Sequence, residues 1–308
     1  MNETMNQTMN ENVSQKSSPA VFLRDCLIIT KPFLSFAVLF TVAGGFVLGS
    51  IGKIDFVLLL HTLFGSGIAA VGSSALNMWI ERDEDAKMKR TGNRPIPSGR
   101  MSAQGVAYFG WVASFVGFLY LGVLVNWVAA GVTFGCWFVY LAVYTPAKRT
   151  SGHSTVLGAI SGALPPLIGW VAARGQFTLM GLYLFGILFF WQLPHFLAIG
   201  WIYKDQYKEA GMKILPVIDP TGRSTATQVL INSLLLFWLG LYPYAFGFCG
   251  ELYFVVVFTA GALFMVAALA FAKKRTLGTA RFLYKTSIVY IMLLFGTMMY
   301  ERTMMQLG

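Results

Sequence analysis

A chain of 308 residues that is 56% hydrophobic and only 12% charged is too apolar for a soluble domain of that length, and has the composition of a bundle embedded in a bilayer. Its net charge of +10 gathers in alternate loops between apolar segments, a bias that points to anionic headgroups and an anionic substrate rather than to nucleic acid. Cys26, Cys136 and Cys249 lie singly in apolar stretches, without the pairing of a disulfide framework or the spacing of a metal site, and read as packing residues.

The first twenty residues, MNETMNQTMNENVSQKSSPA, are polar and low in complexity. They lack both the apolar core of a secretion signal and the Arg-rich amphipathic pattern of an organelle transit peptide. Residues 1–22 are therefore expected to form a disordered cytoplasmic tail, and 23–308 a single transmembrane domain. The missing targeting features favour a bacterial plasma membrane over a mitochondrial one.

Nine apolar runs then follow, each near the twenty or so residues needed to cross roughly 30 Å of hydrocarbon. They fall near 28–49, 56–80, 104–125, 127–145, 154–173, 177–200, 226–247, 251–272 and 283–300. Of the 23 basic residues, all but Lys53, Arg174 and Arg302 fall on one side of these spans. By the positive-inside rule that side is cytoplasmic, which places the N-terminus inside and the C-terminus outside. Gly44, Gly45, Gly65 and Gly67 would let spans approach closely, and Pro165–Pro166 should break or kink the fifth. Broken helices are tolerated in a membrane only beside protein or a wet cavity, so a central cavity opening to the cytoplasmic side is expected.

The end of the second span carries the densest chemistry, NMWIERDEDAKMKRTGNRPIP from Asn77 to Pro97. Asn77, Glu81 and Asp85 recur every four residues, which on a continuing helix aligns three oxygen donors on one face. That pattern suits a divalent cation, and Arg90 and Arg94 follow where they could hold the oxygens of a phosphorylated ligand. A charge-balanced juxtamembrane loop is the competing explanation. It weakens with the crowding of Glu81, Asp83, Glu84 and Asp85, which repel one another unless cations compensate them. A second charged loop, WIYKDQYKEAGMKILP, follows the sixth span. Its position four helices later fits two four-helix halves plus one extra helix, all-α throughout, although two unrelated loops would explain the spacing equally well.

These residues carry a resemblance. Asn77, Glu81 and Asp85, with Lys89-Arg90-Thr91 and Arg94-Pro95, are similar to the first signature of the intramembrane aromatic prenyltransferases (the UbiA type), whose pattern is Asn-Asp-x-x-Asp-x-x-x-Asp before Lys-Arg-Thr and Arg-Pro. Met78 and Glu81 depart from that pattern. Together with Trp79, Arg82, Asp83 and Met88, with Tyr144-Thr145-Pro146, Lys148-Arg149, Gly162 to Trp170, the Trp191-x-x-Pro194-His195-Phe196 segment, and Asp205, Tyr207, Ala210-Gly211 and Leu215-Pro216, they resemble the branch of the family that farnesylates haem.

The resemblance implies farnesyl diphosphate as donor, haem B as acceptor and haem O as product, in the cell membrane, with a downstream haem A synthase as a candidate partner and no nucleic acid. It implies Mg2+ on Asn77, Glu81 and Asp85, with Asp205 completing the metal site from the other half. Arg90, Arg94, Lys148 and Arg149 would bind the diphosphate, and Asp85, Asp205 and His195 would be catalytic. The wider family has several aspartates in the second loop where this chain keeps only Asp205, and Ser154 stands where an Asn is usual. His195, within an apolar helix, could ligate haem iron, move a proton, or serve as an ordinary hydrogen-bonded core residue. His61 and His153 have no supporting pattern. A quinone- or chlorophyll-type prenyltransferase and, further off, a membrane transporter are the alternatives.

Overall fold

The computed structural model describes residues 19–307. Among them, nine helices are long and apolar enough to cross a membrane: Pro32–Gly49, Phe56–Ile80, Ala103–Leu124, Trp127–Thr150, Ser154–Arg174, Leu179–Ile202, Arg223–Ala245, Glu251–Lys274 and Leu277–Met304. No strand occurs among the described residues. Consecutive spans pack on one another, the first span packs on the fifth, and the ninth packs on the sixth and the first. Residues 1–18 of the expected tail lie outside the described part. A helix, Pro19–Thr30, begins inside the segment expected to be unstructured and precedes the first span.

Capping residues set the span ends. Asp55, Ser102, Asn126 and Thr178 each accept a hydrogen bond from a backbone N–H three residues on, meeting one of the donors that a helix start leaves free. Asn126 also works in the other direction. Its amide donates to the carbonyls of Val171 and Ala172 at 3.1 and 3.2 Å, so one side chain starts the fourth span and closes the fifth. Asp219 holds the start of the seventh span, accepting from the backbone N–H groups of Gly222 and Thr225 and from the hydroxyls of Thr221 and Thr225.

Small residues allow the central crossing. A methyl at Gly45 would overlap the Pro166 carbonyl, and one at Gly169 would overlap the carbonyl of Val42, so the first and fifth spans meet backbone to backbone. Gly72 and Gly117 do the same for the second and third spans. Gly67 does not, because only the flexible end of Leu39 lies near it.

The fifth span runs unbroken through Pro165–Pro166 from Ser154 to Arg174, which corrects the expected break. Pro165 has no N–H for the carbonyl of Ser161, and the thiol of Cys136 takes that carbonyl at 3.1 Å. Cys136 is thus a hydrogen-bonding residue as well as a packing one. Pro243 leaves the carbonyl of Leu239 free in the same way, and the hydroxyl of Tyr183 donates to it at 2.7 Å. Within the fourth span, Val139–Tyr144 forms a π-helical turn ahead of Pro146. Such turns widen a helix locally and re-aim the residues that follow, here Thr145 and Lys148.

Candidate functional site

Asn77, Glu81 and Asp85 are 2%, 6% and 1% exposed, so the fourfold spacing does place all three on a buried face. The second span ends at Ile80, Glu81 caps it, and a short helix, Arg82–Asp85, follows directly. Each of the three is met by a base from a different segment. Lys31 donates to Oδ1 of Asn77 at 2.7 Å, Lys148 to Oε1 of Glu81 at 2.6 Å, and Arg94 to Oδ2 of Asp85 at 2.5 Å. The amide of Asn77 donates in turn to Thr145 Oγ1, whose hydroxyl donates to the carbonyl of Tyr140 in the π-helical turn.

Three half-buried bases face two buried carboxylates, an arrangement one negative charge short of neutrality. At Lys31, burial together with Arg94 and Lys148 outweighs Glu81 and Asp85 and pushes the ammonium down to about 7. Burial pushes the Glu81 carboxyl up, but Lys148, aided by Lys31 and Arg94, reverses that and leaves the group below its ordinary value. At Asp85 burial prevails over the guanidinium of Arg94 and, with the charge of Glu81, raises the carboxyl. A site with excess cations in a poorly solvated setting favours an anion.

Lys31 is missing from the sequence reading. It sits between two helices with φ 46°, a left-handed backbone that costs a non-glycine residue of order 1 kcal/mol. Only Lys-Pro ahead of an apolar run marked it, and that signal also fits a plain helix start.

The other expected residues are arranged less tightly. Arg90 is exposed, lies over the ring of Tyr203 at 5.0 Å, and donates to the hydroxyl of Tyr207, while its backbone N–H donates to Gln206. The first and second polar loops therefore share one rim of the molecule. Asp205 is exposed on that rim and has no hydrogen bond or ion pair among the described residues. Arg149 is engaged with the carboxylate of Glu84 and the carbonyl of Ile80, bracing the end of the second span.

His195, on the sixth span, packs against the ninth. Its Nδ1 is 2.7 Å from the hydroxyl oxygen of Ser287, and its ring stacks on Trp191 at 4.8 Å with Tyr284 at 5.0 Å. The Ser287 hydroxyl donates its one proton to the carbonyl of Tyr284. With its proton so placed it accepts from Nδ1–H, and in that tautomer the lone pair of the imidazole lies on Nε2. Trp191 fixes the same residue by donating to the carbonyl of Ser287 at 2.6 Å.

Among the described residues no group of three His, Cys, Asp or Glu side chains could hold a metal by itself. The donor set of one amide and two carboxylates still fits Mg2+, which typically takes one or two protein carboxylates and completes its shell with water and phosphate oxygens.

The sequence model described as the UbiA prenyltransferase family matches residues 37–294. A protoheme IX farnesyltransferase of Solibacter usitatus (strain Ellin6076) is 41% identical over 91% of this chain and 99% of its own length. One from Opitutus terrae (strain DSM 11246 / JCM 15787 / PB90-1) is 41% identical over 90% and 94%. Among solved structures, one described as digeranylgeranylglyceryl phosphate synthase superposes with a TM-score of 0.76 at 16% identity, covering 91% of this chain and 98% of that one. A UbiA homolog from Archaeoglobus fulgidus bound to DMAPP and Mg2+ superposes with a TM-score of 0.62 at 17% identity, covering 89% and 99%.

Proposed function

The chain belongs to the UbiA prenyltransferase family, and from that premise we propose that it transfers a farnesyl group from farnesyl diphosphate to a vinyl group of haem B, with addition of water, to give haem O. The convergence of Lys31, Arg94 and Lys148 on Asn77, Glu81 and Asp85 carries the chemistry. The likeness to relatives named protoheme IX farnesyltransferase carries the choice of acceptor.

Prenyl transfer needs the diphosphate to leave C1 of the farnesyl chain with both bonding electrons, which builds negative charge on one end of the substrate. Mg2+ held by Asn77, Glu81 and Asp85 supplies Lewis-acid stabilisation of that charge when bound. The chain's own cations supply the rest. When the diphosphate docks, Lys31, Lys148 and Arg94 exchange an amide or carboxylate oxygen for phosphate oxygens, so donors already in place meet the developing charge without reorganising water. Arg90, on the rim, reaches the outer phosphate. Asp205, from the second loop on the same rim, would complete the metal site.

The allylic cation left at C1 is attacked by the vinyl terminus. The new cation, next to the porphyrin ring, is trapped by water, which gives up one proton and leaves the hydroxyethylfarnesyl arm. The Nε2 lone pair of His195 fits either of two uses, ligation of the haem iron or acceptance of that proton. The enzyme acts in the plasma membrane of a bacterial cell, with the polar rim and N-terminus cytoplasmic and the C-terminus outside, and passes its product to a haem A synthase.

The test is to incubate the purified protein with Mg2+, farnesyl diphosphate and either haem B or 4-hydroxybenzoate. A product with the mass of haem O from the first mixture, and none from the second, is expected. Prenylated 4-hydroxybenzoate alone would assign the protein to another acceptor.

A further inference from the structure

At the face opposite the polar rim, the ends of the first, fifth, sixth and ninth spans and the turn after the seventh line a half-open cavity of about 370 Å3. Its walls are apolar, with Leu48, Phe248 and Met298 among them, but Arg174 and Arg302 also line it. These are two of the three basic residues on this face. Neither takes part in an ion pair among the described residues. Glu301, next to Arg302, is already committed, since its two oxygens accept the backbone N–H groups of Gly250 and Tyr253.

Five buried side-chain atoms lack a hydrogen-bond partner among the described residues: the hydroxyl oxygens of Ser66, Ser154 and Ser233, Nε1 of Trp170 and Nε of Arg174. A serine hydroxyl can rotate towards a carbonyl one turn back in its helix. Trp Nε1–H and Arg Nε–H are fixed donors with no acceptor capacity. Both of these donors belong to residues lining the one cavity, with the guanidinium of Arg174 held 5.4 Å from the Trp170 ring centre. Buried donors left unmet in this way point to an unseen acceptor. Two guanidiniums outside any direct ion pair favour an anion as that acceptor.

We propose that this cavity binds the phosphate of an anionic phospholipid from the leaflet opposite the catalytic rim, with an acyl chain along the apolar wall. The lining residues come from span ends, at the depth where headgroups lie. A phosphate offers enough oxygens for the indole N–H and both guanidiniums at once. A zwitterionic headgroup would bring its own positive charge to a site that already holds two.

The experiment uses the full-length protein, delipidated in detergent and mixed with equal amounts of phosphatidylglycerol, phosphatidylcholine and oleate, with bound species counted by native mass spectrometry. Wild type is expected to retain one phosphatidylglycerol in preference to the other two. Arg174→Gln with Arg302→Gln should lower that preference by roughly tenfold or more, the ratio expected on losing a charge-assisted hydrogen bond, while prenyl transfer persists. Trp170→Phe, which keeps the ring and removes the donor, should lower it in the same direction. It carries the test by itself if the double variant does not fold. No preference in wild type, an equal preference in both variants, or retention of oleate in place of phosphatidylglycerol would overturn the proposal.

Discussion

Replacing Lys148 by Met should destabilise the substrate-free protein more than replacing both Lys148 and Glu81. The two side chains are 14% and 8% exposed and 2.6 Å apart. Removing the ammonium leaves a carboxylate with no solvent to take over, and breaking a buried pair on one side costs about 3–5 kcal/mol. Lys31 and Arg94 also hold Glu81 charged, so the lower half of that range applies, and for a chain of this size it corresponds to a fall of roughly 5–10 °C in unfolding midpoint. Glu81→Gln should recover most of the loss in a Lys148→Met background, because an amide needs no counter-charge. Haem O formation should remain absent in both variants, since the diphosphate loses a donor in each and the metal site also loses a negative charge in the second. Thermal unfolding in detergent, followed by fluorescence, reads the first effect and product mass the second. A Lys148→Met protein as stable as wild type, or a double variant no more stable than the single, would refute the pairing on which the site rests.

Asn126→Ala removes a cap and the amide that donates to two carbonyls and should cost about 1–3 kcal/mol, with Asn126→Asp intermediate because it keeps only the cap; thermal unfolding of the two variants checks this, and activity per folded molecule should not change. His195→Gly should alter the visible spectrum of bound haem and lower turnover without weakening farnesyl diphosphate binding. Ser287→Ala should reproduce part of both effects by releasing the Nδ1 proton that fixes the ring, and Ser287→Thr should restore them; unchanged spectra in all three would return His195 to a structural role. At Asp219, burial raises the carboxyl but its hydrogen bonds to Thr225, Gly222 and Thr221 outweigh that and hold it below its ordinary value. Its stabilising effect is therefore present above the unfolded carboxylate value, near 4, and lost as pH falls through the folded one. Asp219→Asn should flatten the acid limb of stability against pH, measured by unfolding between pH 6 and pH 3.

The spans were legible because hydropathy is a local property of the chain. The exceptions have local causes of their own. The first span starts at Pro32 instead of near residue 28, because Lys31 turns left-handed between two helices that hydropathy cannot separate. The fourth continues to Thr150 through Lys148 and Arg149, since these bases find carboxylates at the rim and need not end the helix. The acidic face was readable from a spacing of four. Its counter-charges were not, because Lys31 meets Asn77 across 46 positions of sequence and Lys148 meets Glu81 across 67. The same distance hides the partnership of His195 with Ser287, 92 positions apart. Pro165–Pro166 does not break its helix, because a missing N–H says only that a carbonyl is free, and the donor that takes it, Cys136, lies on another span.

The proposed role of Asp85, with Asn77 and Glu81, is to hold the cation that would stabilise the departing diphosphate. Its most direct test is haem O formation by Asp85→Ala, inserted and folded as judged by its unfolding transition, over a range of Mg2+ concentrations. Turnover at least about a hundredfold below wild type at every concentration, as for loss of one electrostatic stabiliser of a leaving group, is the predicted result. Near-normal haem O formation by that variant would contradict it.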